Sequence, residues 1–372
     1  MQSWDYSSSF LGRILLGLGG FALFVAFREL TVPGLPRLLW YAAAAAWVTV
    51  AAPSLFVALG FSSPERSLVP PRGAGRFLTA MALLLAVAVG SSAYAKSLPR
   101  PSLPEDLFAD EKGALVIAHR GGAALAPEDT IVAFEKGREL GSHWLEMDVW
   151  PTADGHIVVI HDDTVDRTTN GQGQVQEMTL HEIQSLDAGY WFTQDGGITY
   201  PFRGLGVFVP TLDEVLAALP DTRMVIEIKP DSADFARQVV AKVQEMGAAG
   251  KVMLPSFHQA SEDAVRKASP KIPTSMTFEE GITFQILLRL GLASFWTPPG
   301  NVVAQMPPKM HGVPIITEAF IRMAHYKGLP VHVWTINDAT EMRVLNYLGV
   351  DAIITDYPNV AIHLRNEGWR RP

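Results

Sequence analysis

Residues 113–372 predict an α/β fold, a parallel (β/α)8 barrel, preceded by an N-terminal α-helical transmembrane region. Three observations carry that expectation. Apolar strand-like runs alternate with helical patterns over about 250 residues, which favours a parallel sheet wrapped by helices. Asp154-Gly155, a strong two-residue hairpin signal, splits off one surplus strand. The first 96 residues hold three apolar runs of membrane-crossing length.

Those runs, at 10–27, 38–61 and 77–95, contain 18, 24 and 19 residues. A helix needs roughly 20 to cross about 30 Å of hydrocarbon. The second and third carry no charge, whereas Arg13 interrupts the first, so two or three spans are expected. The stretches 42–46 and 83–90 offer no polar face of the kind a soluble helical bundle shows. If all three cross, Arg13, Arg66, Arg72 and Arg76 face one side and Arg28, Arg37, Lys96 and Arg100 the other. This tie leaves the side of the catalytic body unset. The expected location is an integral, multi-pass protein in a lipid bilayer. Pro99, Pro101 and Pro104 mark 97–112 as a linker.

Beyond it, strand-like runs occur at 115–118, 144–149, 157–160, 224–228, 252–254, 273–277, 302–305, 331–335 and 352–355. Helical patterns at 130–140, 211–219, 232–246, 260–268, 318–327 and 339–348 separate most of them. Nine strands is one too many for the barrel. Only twelve residues lie between Asp148 and His161, too few for a helical crossover, so 157–160 reads as the returning arm of a hairpin. Centred on Asp154-Gly155, the hairpin pairs residues whose numbers sum to 309, with Asp148 opposite His161. Alternation puts Glu146 on the same face as Asp148, and Pro151 requires that arm to be edge-like or bulged.

Charge is unevenly spread. Residues 1–100 carry eight basic and three acidic side chains, net +5, which leaves −13 for the remainder out of the total of −8. An acidic body argues against nucleic acid as partner and suits a cation. With no cysteine, disulfides, zinc thiolate sites and thiol nucleophiles are excluded.

The candidate chemistry lies at strand ends. His119 precedes Gly121-Gly122, where backbone can approach a ligand closely, and His161-Asp162 follows another strand. One imidazole can take a proton from an attacking oxygen while the other donates to a leaving alkoxide. Glu146, Asp148 and Glu227 form an oxygen-rich set that indicates one divalent cation, Mg²⁺ or Ca²⁺, rather than zinc. An ion-pair network with Arg and Lys is the alternative. Lys229, on the same strand face as Glu227, fits either account, as phosphate ligand or as salt-bridge partner.

A series of short motifs then acquires a common meaning. These are His119-Arg120-Gly121-Gly122, Pro127-Glu128-Asp129-Thr130, Glu146-Met147-Asp148-Val149, Asp154-Gly155, His161-Asp162, Asp166-Arg167-Thr168-Thr169-Asn170-Gly171, Pro210-Thr211-Leu212-Asp213-Glu214, Glu227-Ile228-Lys229, Ser256-Phe257, Trp334-Thr335-Ile336-Asn337 and Thr355-Asp356-Tyr357-Pro358. In this order over about residues 113–362 they resemble the glycerophosphodiester phosphodiesterase family. The resemblance implies a TIM barrel, a divalent metal on Glu146, Asp148 and Glu227, and His119 and His161 as an acid/base pair. It also implies phosphate contacts from Arg120 and Lys229, a substrate-side position for Glu128, and a substrate mouth shaped by 185–209. Asp129 stands where the family's Pro-Glu-Asn-Thr motif has asparagine.

The expected reaction is metal-dependent hydrolysis of glycerophosphodiesters to sn-glycerol 3-phosphate and an alcohol. Residues 301–308 and 325–337 also resemble a membrane-bound branch that hydrolyses lysophospholipids, so a lysophospholipase D giving lysophosphatidic acid is the alternative. The apolar segment 282–296 offers Phe284, Leu287, Leu288, Leu292 and Phe295 to one helical face or a lid, or reads simply as core. Trp334 is a candidate apolar wall and Asn337 a polar orienter, unless both simply close the barrel. A reading of a different class, a catalytically inactive membrane scaffold or lipid sensor, predicts loss of a metal carboxylate or a histidine, and none is lost.

Overall fold

The computed structural model describes residues 107–369 apart from Ala109. The stretches expected to span a membrane therefore lie outside the described residues. Among the described residues no helix is long and apolar enough to cross a membrane.

The strands are β1 (Leu115–Ala118), β2 (Trp144–Pro151), β3 (Ile157–Val159), β4 (Met224–Ile228), β5 (Val252–Met253), β6 (Thr274–Ser275), β7 (Val302–Met306), β8 (Lys309–Met310), β9 (Val313–Pro314), β10 (Val331–Val333) and β11 (Ala352–Thr355). Eight of them run side by side in the order β5-β4-β2-β1-β11-β10-β7-β6. Every pairing along this path is parallel. Leu254 N–H donates to Pro273 O at 3.0 Å across the remaining gap, so the barrel is nearly closed. β8 and β9 form a separate small hairpin.

Alternation explains both faces of the wall. In β2, Leu145, Met147 and Val149 point outward into a buried layer shared with Phe134, Val215, Phe235 and Val239 from the surrounding helices. Trp144, Glu146 and Asp148 point the other way, into the barrel. The lower interior is apolar, filled by Leu115, Ile117, Trp144, Val225, Met253, Val303, Ala352 and Ile354. Leu107 joins this group at 1% exposure, and His332 Nε2–H donates to its carbonyl at 3.0 Å. The last residues expected to be linker thus plug the barrel, because the interior must be filled by side chains.

The helices begin where the sequence places hydroxyl or carboxylate caps. Thr211 and Thr277 close capping boxes with Glu214 and Glu280, and Asp338 accepts from Glu341 N–H. Two helices were not among the sequence expectations, Leu180–Gln184 and Pro358–Asn366. A third, Phe278–Arg289, overlaps the apolar segment read as a helical face, a lid or core. Phe284 and Leu288 are core, with the Phe284 ring 5.2 Å from Trp296 and 5.3 Å from Phe320. Phe278, Ile282 and Ile286 remain exposed.

β3 is the returning arm, antiparallel to β2 and outside the barrel path. Its register corrects the expected one. Val149 faces Val159 and Pro151 faces Ile157, one residue out of step with the predicted pairing, so Asp148 is not opposite His161. The cause is the loop. Gly155 N–H donates to Thr152 O, and Gly155 takes φ 85° before Thr152 N–H closes on His156 O at 2.9 Å. A three-residue loop with a left-handed glycine therefore replaces a two-residue turn. Such a slip would turn His161 to the wrong face had the strand continued. It stops at Val159, and Trp150 Nε1–H on the His161 carbonyl at 3.0 Å secures the departing chain. Pro151 is accommodated because this end of β2 pairs on one side only.

Candidate active site

The carboxyl ends of β1, β2 and β4 meet on one side of the barrel mouth. Parallel register sets Asp148 beside Glu227 and Glu146 beside Val225, so three inward carboxylates come from two adjoining strands. One oxygen from each of Glu146, Asp148 and Glu227 lies within 4.8 Å of the others. β1 ends in a tight turn, His119–Gly121, in which Arg120 has φ 49° and ψ 37°. Only glycine fits next, since a Cβ on Gly121 would sit 2.7 Å from the Ala133 backbone. The turn aims the Arg120 N–H at Glu146 Oε2, 2.8 Å away.

A cavity of about 160 Å³ opens over these groups, lined by His119, Arg120, Glu146, His161, Glu227 and Lys229 among others. Both imidazoles are oriented from behind. His119 Nδ1–H donates to Asp356 Oδ1 and His161 Nδ1–H to Asp162 Oδ1, each at 2.6 Å. The opposite ring nitrogen, Nε2, is thereby left for chemistry on both rings; that of His119 lies 3.9 Å from Glu146 Oε2. Lys229 Nζ donates to Glu227 Oε1 at 2.7 Å and lies 2.9 Å from Asp148 Oδ1, an ion pair off the line of a hydrogen bond.

Burial and mutual repulsion dominate the electrostatics. Burial, reinforced by the Asp148 charge, pushes the Glu146 carboxyl up to about 8. Burial also raises Glu227, against the pull of Lys229. Asp148 goes the other way, because Lys229 and Arg120 outweigh the penalty of burial. Burial disfavours the His119 imidazolium, but Glu146 and Asp356 overcome it and raise the ring's proton affinity. At His161 burial prevails over Asp148, and the proton affinity falls.

Glu128, expected on the substrate side, has both oxygens hydrogen-bonded: Arg120 Nη1 and Arg167 Nη2 donate to Oε1, and Arg167 Nη1 to Oε2, at 2.7–2.8 Å. It holds Arg120 in position, a role better suited to a carboxylate than facing a phosphate. Asn337 donates from Nδ2 to Asp356 Oδ2 at 2.6 Å and accepts the Asp356 N–H at 3.0 Å, so it orients the partner of His119. Trp334 lines the cavity, its ring 5.5 Å from that of Phe257. The segment 185–209 lines a neighbouring cleft through Ala188, Trp191 and Phe192, together with Glu128 and Arg167.

Asp356, Asp162 and Arg167 were not assigned roles from sequence. Each stands inside or beside a motif, but their partners are visible only in three dimensions.

The model of the glycerophosphoryl diester phosphodiesterase family matches residues 119–360. The chain belongs to this family. A glycerophosphodiester phosphodiesterase of Caldanaerobacter subterraneus subsp. tengcongensis is 32% identical over 261 residues, 68% of this chain and 98% of that protein. Among solved structures, the glycerophosphoryl diester phosphodiesterase domain of a Mycobacterium tuberculosis protein shares the fold with a TM-score of 0.62 at 20% identity, covering 68% of this chain and 99% of that one. An Oleispira antarctica phosphodiesterase in complex with the product sn-glycerol-3-phosphate shares it with a TM-score of 0.54 at 24% identity, covering 68% and 97%. Family membership makes the chain a phosphoric diester hydrolase and gives the acidic trio a general context, since the family binds a divalent metal.

Proposed function

We propose that the protein is a membrane-anchored enzyme that hydrolyses glycerophosphodiesters to sn-glycerol 3-phosphate and an alcohol, using one divalent cation and two histidines. The observation that carries this reading is the convergence of His119, His161, Arg120 and Lys229 with Glu146 and Glu227 around one cavity.

The donor set fits a hard cation. Three carboxylates within 4.8 Å of one another, two of them with raised proton affinity, form a site with more negative charge than its neighbours neutralise. Glu146, Asp148 and Glu227 would hold Mg²⁺ or Ca²⁺, which supplies charge neutralisation to a phosphodiester as the transition state forms. Arg120, fixed by Glu128, and Lys229 offer positive charge to the phosphate oxygens. One histidine Nε2 accepts the proton of the attacking oxygen, either that of water or that of the neighbouring glycerol hydroxyl, whose cyclic phosphate water then opens, and the other supplies a proton to the departing alkoxide. Asp356 and Asp162 hold both rings in the tautomer this requires.

The product named for the Oleispira antarctica phosphodiesterase supports sn-glycerol 3-phosphate as the product here. The apolar runs at 10–27, 38–61 and 77–95 support attachment to a bilayer. A second reading, lysophospholipase D, is favoured by an apolar groove of about 210 Å³ bordered by Met276, Phe278, Ile282, Ile286 and Met310. It shares Phe257, Gln305 and Trp334 with the catalytic cavity, so an acyl chain has a place beside the diester. The inactive-scaffold reading has no support from the site, which keeps every charged group.

The test is hydrolysis by the full chain in detergent. His161→Ala is expected to lower turnover by about 10³-fold with an unchanged circular dichroism spectrum; wild-type-like turnover would reject the assigned role. Comparing choline release from glycerophosphocholine and from lysophosphatidylcholine decides between the two substrates.

A further inference from the structure

We propose that one apolar face, made by the helix Phe278–Arg289 and the β8–β9 hairpin, rests on the surface of a lipid bilayer, and that the apolar groove opens there to admit a lipid chain toward the catalytic cavity. The inference rests on the bilayer and lysolipid readings above and adds the surface through which such a substrate arrives.

The helix Phe278–Arg289 is apolar on both sides. Its inner side supplies Phe284 and Leu288 to the core. Its outer side carries Phe278, Ile282 and Ile286, followed by Leu290 at its cap, large apolar side chains at four-residue spacing and between 37% and 53% exposed. Glu279, in the first turn, is the one exposed charge on the helix. A helix that faces water presents charge on that side. The helix Ala233–Glu245 does so with Asp234, Arg237 and Glu245, and the helix Ile131–Glu139 with Glu135, Lys136, Arg138 and Glu139.

The apolar stripe continues onto the hairpin. Arg289 Nη2–H donates to Pro314 O at 3.3 Å, which ties β9 to the end of the helix, and Val313 beside it is a further exposed apolar side chain. Phe257 is exposed as well and borders the groove with Phe278, Ile282 and Ile286. Single exposed apolar residues are ordinary, whereas a contiguous set marks a surface that meets a partner.

Two observations make a bilayer that partner. The groove shares Phe257, Gln305 and Trp334 with the charged cavity. An occupant of both has hydrocarbon at its outer end and a phosphate at its inner end, which is the build of a membrane lipid and not of a protein surface. The chain also carries its own means of attachment. Its last apolar run of membrane-crossing length ends at residue 95, and the eleven residues 96–106 reach at most about 40 Å. That exceeds the roughly 26 Å of the eight-residue strand β2, the longest in the barrel. Entry of the chain at Leu107, in the lower interior, therefore leaves the mouth within reach of a bilayer.

The experiment uses the full chain in nanodiscs of dioleoylphosphatidylcholine. The chain has no cysteine, so Phe278→Cys and Leu290→Cys each place a single nitrobenzoxadiazole label on the face. Glu135→Cys is the control, exposed on the helix that follows β1, the strand four places from β6 in the ring of eight. Labels at 278 and 290 are expected to emit to the blue of the control and to lose about half of their intensity to lipids with doxyl-labelled acyl chains, while the control is unquenched. Leu290→Glu with Val313→Glu, neither of which borders the groove, should lower choline release from lysophosphatidylcholine in the nanodisc by about tenfold and leave that from glycerophosphocholine within about twofold, which also certifies the fold. Labels as exposed as the control, or blue-shifted without quenching because protein covers them, overturn the docking and leave the hydrolytic reading standing. An equal loss on both substrates, or none on the lysolipid, overturns it too. Quenched labels with no choline release from lysophosphatidylcholine by the wild type overturn the lysolipid reading and the lipid path with it. A full chain that does not enter nanodiscs overturns bilayer attachment together with this inference.

Discussion

Two buried acidic clusters in the same barrel are finished to different degrees. Glu262, 0% exposed, accepts from Ser256 N–H, Ser275 N–H and Ser275 Oγ–H at 2.9–3.1 Å, all on Oε1, while Oε2 has no hydrogen bond and lies 3.9 Å from Arg266 Nε. Beside it Arg266 forks onto Glu280 at 2.6 and 2.9 Å and also donates to the Ser275 carbonyl. At the mouth, neither Asp129 nor Asp148 has a hydrogen-bonded carboxylate oxygen, and the acids outnumber the bases. The first cluster uses its carboxylates to join loops and strands. The second engages Glu227 with Lys229 and Glu146 with the Arg120 N–H but leaves Asp129 and Asp148 without a hydrogen bond, an expense a fold tolerates where a ligand is to be met.

The largest break in this contrast should come from Glu227→Gln. Hydrolysis is expected to fall by about 10⁴-fold, about 5 kcal/mol of transition-state stabilisation, while the melting temperature in EDTA does not fall. Chelation of the wild type should reproduce the loss, and added Mg²⁺ or Ca²⁺ should restore only the wild type. Arg266→Met should do the reverse, costing about 3–5 kcal/mol of stability in urea unfolding while the KM of the residual folded enzyme stays near wild type. Asp356→Asn removes the carboxylate that holds His119. It is expected to lower kcat by about 10²-fold, to displace the pH–rate profile, and to leave calcium affinity within about twofold.

The smallest effect sharpens the comparison through pH. Burial pushes Glu262 up to about 7 even with Ser256, Ser275 and Arg266 opposing it. The folded state therefore holds this proton more tightly than the unfolded chain does. Its contribution is fully present below the unfolded value near 4.5 and is lost as pH rises through about 7. Glu262→Gln cannot lose a proton, so its stability relative to wild type should grow by about 2 kcal/mol between pH 5 and pH 8. A pH-independent difference in urea midpoints would contradict this.

The barrel and most of its mouth were legible because they follow from alternation. Glu146 and Asp148 two residues apart on an apolar strand share the inner face, and Glu227 ends a strand that lies beside theirs. The surplus ninth run was legible as a hairpin, but its register was not. Asp154-Gly155 is compatible with two loop lengths, and the bonds from Thr152 to Gly155 and His156 select the longer one. Partners distant in sequence were also hidden. His119 and Asp356 are 237 positions apart, and Arg167 reaches Glu128 across 39, so no local pattern announces either. The contacts of Glu128 with Arg120 and Arg167, and of Asn337 with Asp356, were hidden for the same reason. The segment 282–296 stayed open between helical face, lid and core because the apolar residues of Phe278–Arg289 look both ways, into the core and into the groove.

Trp334 belongs to two rooms at once. Its indole, with Phe257 and Gln305, borders a compartment of charges on one side and a compartment of hydrocarbon on the other. On the proposed reading in which the groove takes an acyl chain, the volume and greasiness of that partition would set the preference between a soluble diester and one bearing a fatty tail, while the acids and imidazoles stay untouched.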